Sequence, residues 1–164
     1  MKLVDRFQEI AWGPRKLGHA SPNIIAHDVP RALAVMREGP DLDALEAMFD
    51  DLGWALEVDH TPAAAIARYS EEPFPVVLYE RELTGCDWRL VVSLFAKLPP
   101  PPSVILLSAT HDRNLWDEVI RCGGSDVIRI PFDPDAVMRA MRAAWSLWRN
   151  QQNLRQPITP LRTA

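Results

Sequence analysis

The residue best placed for chemistry is a carboxylate, Glu80, at the end of a short apolar run in the stretch PVVLYERELTGCDW. An apolar run of that length, bounded by a proline and a glycine-bearing loop, reads as a buried strand of a parallel sheet. Open parallel sheets carry ligand and reaction sites at the carboxyl ends of their strands. Three further strand tips present Arg37/Glu38, Ser108 and Ile130-Pro131. The remaining reactive residue types form no such constellation. His19, His27, His60 and His111 are scattered without ligand spacing, so no metal site is expected. Cys86 lies in the loop after Glu80, where no histidine is placed beside it by sequence, and reads as an inert thiol. Gly123-Gly124 precedes a strand instead of joining a strand to a helix, so it is no phosphate loop, which argues against a nucleotide-binding enzyme.

The elements that must position these tips follow in regular order. RALAVM (31–36) is the first strand. Asp41 starts a helix carrying Leu42, Leu45, Met48, Phe49 and Leu52, closed by Gly53 as C-cap. Residues 54–58 form a second strand. Thr61 caps a second helix with Pro62 at its first position. The strand 76–79 precedes a helix over 87–97. The prolines 99–102 act as a stiff spacer before a fourth strand, 104–107. A helix then starts at Asp112 or Asn114 and stops at Gly123-Gly124, and a fifth strand covers 126–130. The last helix opens with Asp133 as N-cap and Pro134, and lines one face with Val137, Met138, Met141, Ala144, Trp145 and Trp148. Five strand–helix units in alternation require a parallel sheet with helices on both faces, joined by right-handed crossovers.

Composition bounds the rest. The chain has 164 residues, 48% apolar and 24% charged, with a net charge of −4, which fits one soluble domain. The acidic balance argues against nucleic acid as partner. No apolar run approaches a membrane span, and the N-terminus has no secretory pattern. Cys86 and Cys122, the two cysteines, form no disulfide framework, and a cytoplasmic location is expected. Residues 1–30 read as an extension too short to hold its own core. Within it Leu3, Val4, Phe7 and Ile10 fit an amphipathic helix that Gly13-Pro14 breaks. Residues 31–149 form the domain, and the polar stretch 150–164 is expected to be a mobile or partner-ordered tail.

Residues 31–149 resemble the receiver domain of two-component response regulators, of the flavodoxin-like (βα)5 fold: a five-stranded parallel sheet in a three-layer sandwich. VVLYERELTGCDW is similar to the strand and loop carrying the family's phospho-accepting Asp, VILLSAT to the strand ending in Ser/Thr-Ala, and GGSDVIRIPFDPDAV to the region of Lys-Pro-Phe and the last helix. The resemblance places Glu80 at the acceptor, Ser108 at the hydroxyl that reads phosphorylation, and Ile130 at the lysine. Arg37 and Glu38 fall where the family has the acidic pair that holds Mg²⁺. The aromatic switch position falls near Val127, which is not aromatic.

These departures remove the holders of both cations on which phosphoryl transfer depends. The expectation is a degenerate, pseudo-receiver pocket that is not an enzyme and needs no cofactor. Arg37 could pair with Glu80 as a fixed cation replacing the metal, or both could point into solvent. Output would go to a protein partner or a homodimer, since no effector domain fits the remaining residues. The face the family uses, around helix 4, strand 5 and helix 5, would draw on Trp116, Arg139, Arg142, Trp145, Trp148 and Arg149. Two alternatives stay open. One is a conventional Mg²⁺-dependent acceptor with Asp87 or Glu82 as auxiliary ligands and Trp88 near the pocket. The other is a small-molecule binder on the same sheet.

Overall fold

A computed structural model describes residues 29–110 and 112–155. The expected amphipathic helix near the N-terminus, the histidines His19, His27 and His111, and the prolines beyond Arg155 lie outside the described residues. The elements alternate throughout: β1 (Arg31–Val35), α1 (Pro40–Leu52), β2 (Ala55–Asp59), α2 (Pro62–Glu71), β3 (Val76–Glu80), α3 (Trp88–Ala96), β4 (Ser103–Ser108), α4 (Leu115–Arg121), β5 (Asp126–Arg129) and α5 (Pro134–Arg155). The strands form one parallel sheet in the order β2-β1-β3-β4-β5. This is the flavodoxin-like sandwich.

Side chains alternate across each strand, and that alternation splits the core in two. Val77 and Tyr79 of β3, with Val104 and Leu106 of β4, pack on Ala65, Ile66 and Tyr69 of α2, Val91, Val92 and Phe95 of α3, and Leu115 and Val119 of α4. Val76 and Leu78, with Ile105 and Leu107, pack on Leu42, Leu45 and Phe49 of α1 and on Val137, Ala140, Met141 and Ala144 of α5. Both faces of β1, β3 and β4 are therefore buried, which is why those strands read as continuous apolar runs.

Local signals set most boundaries. Thr61 Oγ1 accepts from the Ala64 N–H at 3.2 Å, with Pro62 opening α2. Asp87 accepts from the Arg89 N–H at 3.0 Å at the start of α3. Gly53, at φ 65°, closes α1 in the left-handed conformation that glycine adopts at little cost. At the amino end of the sheet the Tyr69 hydroxyl donates to the Pro100 carbonyl at 2.5 Å, tying α2 to the proline spacer. The edge strand β2 differs from the central three. Glu57 and Asp59 pair with Arg68 of α2, each at 2.7 Å. Arg31 of β1, nearly buried over the Phe74 ring, joins Glu57 and Glu72.

The structure departs from the sequence expectation at the end of the last helix and at the end of the last strand. The last helix, α5, reaches Arg155, so the first six residues of the expected tail from about Asn150 are helical. Ile130 is not the last residue of β5, which ends at Arg129. It follows the strand and is buried in the core on the α1/α5 face, with Ile128 beside it and Phe132 packed against the same cluster.

Candidate functional site: the carboxyl edge of the sheet

Glu80 continues the inward series Val76, Leu78 on the α1/α5 face, yet it is a carboxylate and only 1% exposed. A buried carboxylate is costly unless it is paired and hydrogen-bonded. Arg37 meets both requirements. Its Nε lies 2.7 Å from Glu80 Oε1, and its backbone N–H donates to Oε2 at 2.9 Å. The parallel pairing of β1 with β3, Val35 beside Tyr79, brings the residue after Met36 alongside Glu80. Arg37 itself is 59% exposed, so the pair has one buried and one solvated member.

Glu38 does not enter this arrangement. Its side chain is 86% exposed and lies 3.6 Å from His60 Nε2. His60 in turn approaches the Met36 carbonyl through Nδ1 at 2.8 Å, and the Met36 N–H donates to the Asp59 carbonyl at 3.1 Å. The turn carrying Arg37 is thereby braced from β2. The sequence alone presents His60 only as one of several scattered histidines. Its bracing contact depends on the β1–β2 pairing, which no local motif announces.

Ser108 continues the other series, Val104 and Leu106, toward the α2–α4 face and is also 1% exposed. Its hydroxyl is in hydrogen-bond reach of Glu82 Oε1 at 3.3 Å and of the Thr110 carbonyl at 3.0 Å, and it accepts from the Thr110 N–H at 3.2 Å. Glu82 Oε1 also accepts from the Ala109 N–H at 3.3 Å. Arg81 Nη1 stands 3.5 Å from the Ser108 hydroxyl, and the Arg81 N–H donates to the Leu107 carbonyl at 2.8 Å. Glu80 and Ser108 sit on adjacent strands but share no hydrogen bond; one belongs to the Arg37 pair, the other to the Glu82 network. No sequence signal points to Arg81, and the sequence offers Glu82 only as an auxiliary metal ligand.

The residues present do not fit a Mg²⁺ ion. That ion demands near-octahedral oxygen ligation. Both oxygens of Glu80 are taken by Arg37, Glu38 faces away, and no group of three or more His, Cys, Asp or Glu side chains could hold a metal among the described residues. Ile130, at the position where the resemblance has a lysine, lies in the core and can pair with no anion. Trp88 packs in the core on the α2–α4 face, with the Arg89 guanidinium 4.6 Å from its ring centre.

Of the residues assigned to an interaction face, Trp116 on α4 is 52% exposed, Arg139, Arg142 and Arg149 on α5 are exposed, and Trp145 and Trp148 are half-buried. α4 and α5 cover opposite faces of the sheet, so these residues are divided between its two sides. Ile120 and Leu147 add exposed apolar surface on the same two helices.

Tyr79 is fully buried, and its hydroxyl has no hydrogen-bond partner among the described residues. Burial pushes its phenol well above the usual range, and the nearby Cys86, Glu80 and Asp87 add to the shift. Burial also raises the Tyr69 phenol and the Cys86 thiol. A group whose pKa is higher in the folded state stabilises the fold below its unfolded pKa, and that stability is lost as pH rises above it. The chain has two tyrosines, Tyr69 and Tyr79. Tyrosinate absorbance is therefore expected to stay flat through pH ~10, the ordinary phenol value, and to rise only together with loss of the helical circular dichroism. Tyr79→Phe removes an unsatisfied hydroxyl and is expected to change stability by less than ~1 kcal/mol, in either direction; chemical denaturation measures it.

The sheet order and the alternating crossovers are those of the flavodoxin-like fold, which response regulator receiver domains share. Solved receiver structures superimpose on this chain. A response regulator receiver domain protein (CheY-like) from Methanospirillum hungatei JF-1 matches with a TM-score of 0.67 at 17% identity, covering 75% of this chain and 98% of that one. The signal receiver domain of an HD domain-containing protein from Pseudomonas fluorescens Pf-5 matches with a TM-score of 0.67 at 20% identity, covering 74% and 98%. NtrX from Brucella abortus, solved in complex with ADP, matches with a TM-score of 0.67 at 19% identity over 77% of this chain, which spans only 28% of NtrX. No protein-family model and no curated protein matches the sequence.

Proposed function

We propose that this chain is a receiver-like signalling module of the two-component type whose acceptor pocket is held permanently neutralised by Arg37, so that it works through protein contacts without accepting a phosphoryl group. The observation carrying this reading is the engagement of both Glu80 oxygens by Arg37. An attacking carboxylate oxygen must be unencumbered and in line with the transferred group, and the transition-state charge must be neutralised by positioned cations. Here the one cation at Glu80 is spent on the carboxylate itself. Receivers are regulatory domains, and on this reading the module has no catalytic role and resides in the cytoplasm. Its output goes to a protein partner or a second copy across the β5 edge, where Trp116, Ile120, Arg139 and Arg142 combine the aromatic and arginine character common at interfaces.

The direct test exposes the full chain to acetyl phosphate with Mg²⁺ and weighs it intact. No phosphoryl gain is expected, and tryptophan fluorescence is expected to stay unchanged on titration with Mg²⁺ alone. A phosphoryl group mapped to Glu80 would overturn the reading.

A further inference from the structure

The loop after β3 and the loop after β4 meet at the carboxyl edge, and the contact between them is a carboxylate held by two donors. Glu82 Oε1 lies 3.3 Å from the Ser108 hydroxyl and accepts from the Ala109 N–H, also at 3.3 Å. Ser108 is fully enclosed, so its hydroxyl is a built part of the edge. Donors are scarce for the acceptors present. The Ser108 hydroxyl carries one proton, and two acceptors stand within its reach, Glu82 Oε1 and the Thr110 carbonyl at 3.0 Å. Its lone pairs face the Thr110 N–H at 3.2 Å and Arg81 Nη1 at 3.5 Å. The second Glu82 oxygen, Oε2, is buried and has no hydrogen-bond partner among the described residues. Burying a carboxylate oxygen unpaired is costly, so no gain at Oε2 explains why Glu82 lies here. What holds it is the pair of donors at Oε1.

A hydroxyl and a backbone N–H converging on one oxygen, with a guanidinium beside them, is a donor set suited to an oxyanion. The ligand it holds is a side chain of the same chain, two residues beyond Glu80. A group positioned by the fold in this way outcompetes a dissolved ion, because the entropy of bringing it to the site is already met. Glu80 takes no part. Its two oxygens engage Arg37, and it shares no hydrogen bond with Ser108. The contact therefore stands whether or not the Arg37 pair suppresses phosphoryl acceptance. It also ties the loop after β3 to the segment leading into α4, since Ala109 and Thr110 follow β4 and Leu115 opens α4.

We propose that the Ser108 hydroxyl and the Ala109 N–H, flanked by Arg81, form an oxyanion site whose resident ligand is the carboxylate of Glu82, which latches the loop after β3 onto the loop after β4. Amide spectra of the full chain test it, with acetate as the probe that stands in for the side-chain carboxylate, titrated at constant ionic strength against chloride. In Glu82→Ala the Ala109 and Thr110 amide resonances are expected to move saturably with acetate. In the wild type, whose site is filled, they are expected to stay fixed. Adding Ser108→Ala to Glu82→Ala is expected to weaken the response about tenfold or more, the loss typical of a hydrogen bond to a charged group. Strand resonances that keep their positions show that the fold is intact. Where Glu82→Ala does not fold, Glu82→Gln, of the same size, takes its place: the Ala109 amide proton is expected to shift upfield as its charged acceptor becomes a neutral one. An equal acetate response in wild type and Glu82→Ala overturns the proposal, as does no saturable response in Glu82→Ala. So does a response that survives Ser108→Ala, or an unmoved Ala109 proton in Glu82→Gln. None of these readouts involves phosphoryl transfer, so their outcome is separate from that of the acetyl phosphate test.

Discussion

Arg37→Ala is expected to cost ~1–3 kcal/mol of stability, measured by urea denaturation at neutral pH. Removing one member of a fully buried ion pair typically costs about 3–5 kcal/mol, because the other charge is stranded. Two features reduce that here. Arg37 is more than half exposed, so water can replace part of its side chain, as for exposed pairs. The backbone N–H at position 37 also survives the substitution and still donates to Oε2. The direction remains, because Glu80 itself is 1% exposed. Glu80→Gln in the Arg37→Ala background is expected to recover part of the loss by removing the stranded charge. A double-mutant cycle of Arg37→Ala with Glu80→Gln isolates the coupling. A coupling near zero would mean that the two groups do not depend on one another, and the neutralised pocket would lose its physical basis. Stability and phosphoryl acceptance are separate readouts: Arg37→Ala frees Oε1 but restores neither a metal site nor a lysine, so acetyl phosphate is expected to leave the variant unmodified as well.

How far the sequence discloses this arrangement depends on the range of the interactions involved. Strands β3 and β4 are legible because both faces are buried and the apolar runs are unbroken. The starts of α2 and α5 are legible because capping residues and a proline act within one turn. The Arg37–Glu80 pair spans 43 positions. It could be named as an alternative only because both residues were placed at neighbouring strand tips. The contact itself depends on the β1–β3 register. Glu82 carries no local signal at all, since its partners are a hydroxyl and an amide on β4 and in the loop after it. Ile130 illustrates a different limit. Read by position it is a missing lysine, but physically it is a core residue whose burial with Ile128 and Phe132 helps seat α5. The end of α5 is not legible in the sequence, because its composition, NQQNLR, is polar. For Glu82 and Ile130 a tertiary neighbour decides the outcome, and local composition is silent about that neighbour.

The second large effect is expected at the turn between α4 and β5. Gly124→Ala should destabilise the fold by ~1–3 kcal/mol, the usual range for forcing a methyl group into a packed core. A Cβ at Gly124 would stand 2.5 Å from Val119 Cγ1, 3.1 Å from the Val119 carbonyl and 3.2 Å from Val92 Cγ1. Both valines are fully buried in the core on the α2–α4 face, so neither can swing into solvent. The backbone is no freer, because the Gly124 N–H donates to the same Val119 carbonyl at 2.9 Å. Relief therefore requires moving α4 relative to β5, or α3 relative to both. Gly123 tightens the same corner. At φ 93° it occupies a conformation that strains other residues, and a Cβ there would meet Ala96 Cβ at 2.8 Å. For a domain of this size each kcal/mol corresponds to roughly 2–4 °C in Tm, so thermal unfolding reads the effect directly. A thermally neutral Gly124→Ala would mean that α4 can shift at little cost. The face carrying Trp116 and Ile120 would then be an adjustable surface, and partner docking across the β5 edge would have to order it. A loss in the expected range makes α4 a fixed platform, its position set by the two glycines that let α3, α4 and β5 approach this closely.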